Sequence, residues 1–522
     1  MSFTKFVHSF LQDSAARLPD KRALYVSGQW HTFQEINQRS NKLAHLLLRR
    51  GLKRGDRVAL IIENSLEYVV SYYAILKAFG TTVALNTENT TDDIRYIVRD
   101  CGVRFLITNR KLIGRCVPTP LEGPSAHPGP LGESLEGLFY WCGSVQTEVE
   151  GSPLPAVRLP EALESESDED PEGRLVDLDI ASIVYTSGST GKPRGAVLSH
   201  LNIVSNTRSI ADYLGLTSDD RIMAVLPFYY IYGKSLLNTH FFVGGSVVID
   251  NRFLYPNVIL QTMKEQEVTG FAGVPSTFTI LLSRSNLRSQ RFPNLRYVTQ
   301  AGGAMAPSVQ KEVAEAFAPA RLFVMYGATE AAARLSYLDP DDLPRKWGSI
   351  GKAIPNVELF VADAGGWPLP PGEEGEIVAR GSNIMSGYWN HPEETAKVLR
   401  NGTYFTGDIG RSDDEGFLFV VGRSKDMIKI GGNRVSAKEI EDALHEHPGV
   451  LEAAVIGIPD EVLGEAPKAF VVLKKGSAES TIAELPAFLQ GHLAVYKIPK
   501  QYEVRDSLPK NDSGKILKLK LK

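Results

Sequence analysis

Tyr185-Thr186-Ser187-Gly188-Ser189-Thr190-Gly191-Lys192-Pro193-Arg194-Gly195 consists almost wholly of small, hydroxylated, glycine and basic residues, and nothing in it can build a core. The composition suits a polyphosphate. Glycines let backbone N–H groups approach, hydroxyls donate hydrogen bonds, and Lys192 and Arg194 supply charge. The preceding run, Ile180-Ala181-Ser182-Ile183-Val184-Tyr185, reads as a buried strand that delivers this loop. Two familiar nucleotide motifs are excluded by spacing. Gly188 stands only three positions before Gly191, and Pro193 follows Lys192 where a Walker loop needs a hydroxyl and a helix start. No G-x-G-x-x-G lies between a strand and a helix, so a dinucleotide fingerprint is also absent.

Outward from the loop, strand-like runs such as Arg57–Ile62 and Thr82–Leu85 alternate with helical patterns such as Glu67–Ala78. This predicts an α/β fold with helices flanking largely parallel sheets. Between Pro118 and Glu172 the composition turns first to proline and glycine and then to a strongly acidic run, which reads as a solvated connection. From about Gly422 a second pattern begins, with a helix over Ala437–His445 and strands near Ala453–Ile458 and Ala469–Leu473. That is enough chain for a small α+β domain.

At 522 residues the chain exceeds one ordinary domain, and 43% apolar residues supply ample core. A formal net charge of −4 builds no field that favours nucleic acid or an anionic membrane. Cys101, Cys116 and Cys142 show no C-x-x-C spacing and are read as reduced thiols, which predicts a cytoplasmic protein without a zinc site. His445-Glu446-His447 cannot share one helix face and reads as solvated polar groups. Phe3–Leu11 is short and interrupted by Lys5 and His8, so it is expected to be an amphipathic helix rather than a secretory signal. Tyr68–Leu85 contains Lys77 and Gly80 and reads as a core helix entering a strand, not a membrane span.

Further motifs follow the glycine loop in order: Leu226–Gly233 (LPFYYIYG), Ala301–Ala304 (AGGA), Tyr326–Glu330 (YGATE), Gly375-Glu376-Ile377, Tyr404–Asp408 (YFTGD), Gly422–Asp426 (GRSKD) and Pro509–Lys515 (PKNDSGK). Taken together, the chain resembles the adenylate-forming superfamily of acyl- and aryl-CoA synthetases, peptide-synthetase adenylation domains and luciferase, and most resembles AMP-forming acyl-CoA synthetases. The resemblance covers essentially the whole chain. It implies a large N-terminal domain over 1–424, of layered α/β sheets plus a distorted β-barrel, and a small mobile α+β cap over 425–522 joined at a hinge at Lys425. It implies ATP, Mg²⁺ and CoA as the cofactor and co-substrates.

By the same resemblance, Lys515 is the catalytic lysine that offsets repulsion between a carboxylate and the α-phosphate. Glu330 holds Mg²⁺, and Thr329 hydrogen-bonds the α-phosphate. Thr186, Ser187, Gly188, Ser189, Thr190, Gly191 and Lys192 hold the β- and γ-phosphates. Asp408 accepts from the ribose hydroxyls, with Arg423 as a second ribose or phosphate contact. Gly302, Gly303 and Ala304 lie against adenine while Tyr326, followed by Gly327, stacks on it. Lys429, with Gly431 and Gly432, acts in the second, thioester-forming step.

The acyl pocket is expected among Tyr229, Tyr230, Val274 and Phe278, an apolar and aromatic set. No acid occurs between Arg221 and Phe242 to pair an α-ammonium, which argues against amino acids. Tyr230 departs from the His found at this place in many acyl-CoA synthetases. The small residues Ala331, Ala332 and Ala333 leave space for a longer acyl or ring substrate. A fatty acid is the first expectation and an aryl acid the second. Asp363–Glu376 is a compact turn with no room for the insertion seen in ligases that serve carrier proteins, so CoA is the expected acceptor. A separate carrier protein is the alternative, and a homo-oligomer stays open.

Overall fold

The computed structural model describes residues 5–116, 134–142, 156–186, 193–430, 433–460, 463–477, 480–511 and 514–521. Two large mixed sheets form its body. The first has eight strands, with Ile180–Thr186 beside Thr81–Ala84 in parallel and beside Arg194–Ser199 in antiparallel register. The second has nine strands, whose central members Ser246–Ile249, Arg221–Ala224, Gly270–Gly273, Tyr297–Gln300 and Arg321–Tyr326 run parallel.

Between the sheets lies the largest core, containing the helices Leu66–Lys77 and Ile231–Val243. The first has no polar face, its mid-helix Ser71 hydroxyl being buried and accepting from Trp141 Nε1 at 2.9 Å, so it can only be stable when enclosed. Ser65 caps its first turn by accepting from the Tyr68 N–H. A third, antiparallel sheet of five strands includes Val357–Ala362, Gly375–Gly381, Thr403–Ser412 and Leu418–Arg423.

The C-terminal sheet also has five strands and its own core. Chain passes from the third sheet to this one between Arg423, at the end of one strand, and Met427, at the start of the next, with Lys425 in the short turn between. The cap helix Ala437–His445 starts at Ser436, whose hydroxyl accepts from the Glu439 N–H.

Several expectations shift. The acidic stretch is not merely a solvated connection. Gly137–Trp141 and Ala156–Arg158 extend the eight-stranded sheet, because the former is an apolar run able to fill a buried lane. Asp170 pairs with the buried Lys77 ammonium at 2.7 Å, and the Asp168 carbonyl accepts from Asn41. Among the described residues the first helix spans Ser9–Arg17, meeting the expected Phe3–Leu11 helix only at Ser9–Leu11, while Phe3 and Thr4 lie outside the described residues. His447 is buried, with its ring edge against Phe488, and is not solvated. Among the described residues no helix is long and apolar enough to cross a membrane, and no cluster of three or more acidic, His or Cys side chains could hold a metal by itself. Cys101 and Cys116 are buried free thiols, both pushed up to about 12 by burial.

Candidate active site

A cleft of about 490 Å³ lies between body and cap. Its walls come from the ends of parallel strands and from the loops that follow them, where open α/β sheets bind ligands. Thr186 ends the strand that leads into the glycine loop and lines the cleft, as do Gly302, Gly303, Ala304, Tyr326, Gly327, Thr329 and Glu330. Ser187, Gly188, Ser189, Thr190, Gly191 and Lys192 lie outside the described residues.

Asp408 and Arg423 are register partners on adjacent antiparallel strands. Arg423 Nε donates to Asp408 Oδ1 at 2.9 Å, and the Tyr326 hydroxyl donates to Oδ2 at 2.6 Å. The carboxylate is thus gripped on both oxygens. Burial, followed by the Asp408 charge, drives the Tyr326 phenol far above its ordinary value, so it acts as a donor at any physiological pH.

The segment after Tyr326 is tightly wound. A Cβ on Gly327 would overlap the Ala333 carbonyl oxygen, so only glycine lets the chain fold back there. Thr329–Ala331 forms one 3₁₀ turn, and then Ala332 and Ala333 adopt φ of +54° and +122°, a strained path for residues with a side chain. The turn presents Glu330, whose Oε1 accepts from the Tyr388 hydroxyl at 2.7 Å.

From the cap come Ser436, Ala437, Lys438, Glu441, Lys515 and Lys518. The Lys515 N–H donates to Asn511 Oδ1 at 2.8 Å, closing a small turn around Gly514, where φ is +78°. A side chain at Gly514 would run into Ser276 of the body, so the loop seats there only as glycine. Burial, then the Arg423 guanidinium, lowers Lys515 to about 8, opposed by Asp408, Asp426 and Glu330. Behind it, Lys518 pairs with Glu441 at 2.7 Å.

The N-terminal part of the chain, residues 11–389, matches the AMP-binding enzyme model, and residues 439–515 match the AMP-binding enzyme C-terminal domain. The chain belongs to the AMP-binding enzyme family. It is 34% identical to a long-chain-fatty-acid–CoA ligase of Bacillus subtilis, over 99% of this chain and 94% of that one. Among solved structures, an anthranilate CoA ligase in complex with anthranoyl-AMP superposes with a TM-score of 0.90 at 27% identity, covering 99% and 97% of the two chains. An o-succinylbenzoate CoA synthetase of Bacillus subtilis, holding ATP and a magnesium ion, gives 0.81 at 29% identity, covering 98% of each.

Within this AMP-binding enzyme the structure brings Thr186, Gly302–Ala304, Tyr326–Gly327, Thr329, Glu330, Asp408, Arg423 and Lys515 to one cleft, with Tyr230 and Val274 on its wall. Three other expectations fall elsewhere. Phe278 is fully buried against Phe271 and Phe317, so it is core and not pocket wall. Its helix turns that face away from the cleft. Tyr229 is also buried; it packs behind Tyr230, with ring centroids 4.7 Å apart. Lys429 is an exposed residue on a cap strand and does not line the cleft in this arrangement.

Charged cleft residues that went unforeseen include Arg334, Glu441 and Lys518, and Tyr388, outside the cleft lining, was also missed as the residue that holds Glu330. The alternation of carboxylate and base at Glu441 and Lys518 carries no motif. Only the fold shows that they meet.

Proposed function

We propose that this AMP-binding enzyme couples ATP to the ligation of a carboxylic acid to CoA through an acyl-AMP intermediate. One observation carries the reading: the cap delivers the Lys515 ammonium into the cleft that holds Asp408, Arg423, Thr329 and Glu330 of the body.

In the first step a carboxylate oxygen attacks the α-phosphorus and pyrophosphate leaves. Two anions must approach, and the charge that develops on the non-bridging oxygens needs fixed positive partners. Lys515 takes this role. Thr329 donates to the α-phosphate from the 3₁₀ turn. Asp408 has lone pairs to spare beyond those used by Tyr326 and Arg423, and accepts from the ribose hydroxyls. Tyr326 and the Gly302–Ala304 turn face the base, and the glycine loop after Thr186 holds the outer phosphates.

Glu330 fits Mg²⁺ as a single protein carboxylate. Tyr388 orients one of its oxygens, and among the described residues no group of three or more acidic, His or Cys side chains forms around it, which suits an ion that takes its remaining ligands from phosphate and water. When bound, the ion neutralises phosphate charge. In the second step the CoA thiol attacks the acyl carbon and AMP departs. Lys425, in the turn between the two sheets, is the pivot that would exchange Lys515 for the Lys429 strand.

Leu226, Tyr230, Ile231, Tyr232 and Val274 give the acyl wall an apolar and aromatic character that favours a fatty chain first and an aromatic acid second. The test is pyrophosphate exchange without CoA, followed by CoA-dependent release of AMP, across fatty and aromatic acids. Exchange with at least one acid and thioester formation with CoA are expected. AMP formation with no thioester would instead point to a separate carrier protein as acceptor.

A further inference from the structure

Arg334 is 2% exposed, yet it lines the cleft. Its backbone is clamped twice. Asn206 Oδ1 accepts its N–H at 3.2 Å, while Asn206 Nδ2 and Asn383 Nδ2 donate to its carbonyl at 2.9 and 2.8 Å. The strained residues Ala332 and Ala333 immediately precede it and turn the chain inward. The guanidinium lies over the Tyr232 ring at 4.2 Å. Nε donates to Met325 Sδ at 3.3 Å, and Nη1 to the Ala333 carbonyl at 3.1 Å. These partners are a thioether, a backbone oxygen and a ring face, joined by the Tyr213 hydroxyl, which also donates to Met325 Sδ at 2.9 Å; all of them are neutral. Among the described residues no carboxylate pairs with it.

A charged group buried among neutral partners alone is destabilising, because a ring face, a sulfur, a carbonyl and a hydroxyl recover only part of its hydration and none of them supplies a counter-charge. A fully hydrocarbon acid would leave that charge unanswered in the bound state. A neutral hydroxyl or ketone would supply a hydrogen bond but no compensating charge. A carboxylate supplies both, in the fork geometry that a guanidinium matches. Behind Arg334 and Met325 a further cavity of about 10 Å³, bordered by Ser235, Thr239 and Thr299, is roughly one water in size and gives the head group slack to reorient.

We infer that Arg334 is a specificity-determining residue and that the acid activated here carries a second carboxylate, distant from the one that is adenylated. This rests on the acid–CoA ligase reading and refines its substrate.

The experiment measures kcat/KM for pyrophosphate exchange with straight-chain monocarboxylic acids, ω-hydroxy acids and dicarboxylic acids of matched length, and with aromatic acids bearing one or two carboxyls. It uses the wild-type protein, Arg334→Lys and Arg334→Met. A dicarboxylic acid is expected to lead its monocarboxylic counterpart by on the order of 10²-fold in the wild type. Arg334→Lys should keep part of that preference and Arg334→Met should abolish it. The thermal midpoint of unliganded Arg334→Met should equal or exceed that of wild type, since a lone buried charge is removed. A merely structural role would lower the midpoint and depress every acid alike.

If wild type treats mono- and dicarboxylic acids equally, or prefers the monocarboxylic ones, the inference is overturned while the ligase reading stands; this arm does not depend on whether a variant folds. If no acid of any class supports exchange, the ligase reading itself fails.

Discussion

At one place on the cleft wall, Asp408 holds its carboxylate between the Tyr326 hydroxyl and the Arg423 guanidinium; at another, Arg334 is buried with, among the described residues, no carboxylate paired to it. The first arrangement is complete before any ligand arrives. The second is not. Asp408 sits on a strand that holds Arg423 in register opposite it, while Tyr326 reaches it from the nine-stranded sheet, as would suit the proposed contact to a cofactor that never varies. Arg334 sits past a strained turn, on the wall that has to match one acid among many. Preorganisation is concentrated where the ligand is constant, and an unanswered group is left where the ligand confers specificity.

The largest effect that would sharpen this contrast is at Lys515. Replacing it by Ala should reduce adenylation by about 10²–10³-fold, the scale for losing one charge-stabilising donor. Thioester formation from supplied acyl-AMP should fall far less. Single-turnover assays of each half-reaction separate the two, and equal loss in both would break the proposed division of labour.

Asp408→Asn comes next. It removes the charge that Arg423 pairs with, leaving that half-exposed guanidinium to solvent and the Asp426 charge. The expected cost is about 1.5–3 kcal/mol, seen as a tenfold to hundredfold rise in KM for ATP with the acid's KM little changed. A change confined to the acid's KM would mean that the nucleotide and acyl walls have been assigned the wrong way round.

The pH dependence should follow Lys515. Its pKa lies near 8, below the usual lysine value, and the charged form is the useful one, so activity is present below that pH and lost above it. The kcat/KM for adenylation should fall through about pH 8 and approach a tenfold loss per pH unit beyond it, whereas the thioester step should not share this limb. Smallest is Tyr388→Phe, which frees one Glu330 oxygen. A loss of about 0.5–1.5 kcal/mol is expected, read as a higher Mg²⁺ requirement in exchange assays with the fold intact.

Much of the framework was legible because its signals are local. The run Ile180–Tyr185 is a strand reaching Thr186, and Ala437–His445 is a helix with the expected bounds. The largely apolar helix beginning at Leu66 is enclosed, as its lack of a polar face requires. Composition misled in the 118–172 stretch, where proline, glycine and acidic neighbours hid the five-residue apolar run Gly137–Trp141.

Within the cleft, side chains tied to a turn or a strand end could be placed by motif, whereas Tyr229 and Phe278 could not. Their facing depends on which side of a helix or turn meets the core, and aromatic residues suit either side. Arg334 was hidden for the opposite reason. One arginine after three alanines has the pattern of an ordinary surface cation, and only tertiary enclosure reveals what it lacks.

The register pairing of Asp408 with Arg423 lies on the last rung before the chain leaves the third sheet, two residues short of Lys425. If the cap swings about that residue, the sugar sits beside the axle and Lys515 rides at the rim. A half-made product could then stay moored by its nucleoside while everything around its acyl end is exchanged, so the reactive anhydride never has to be let go between one bond and the next.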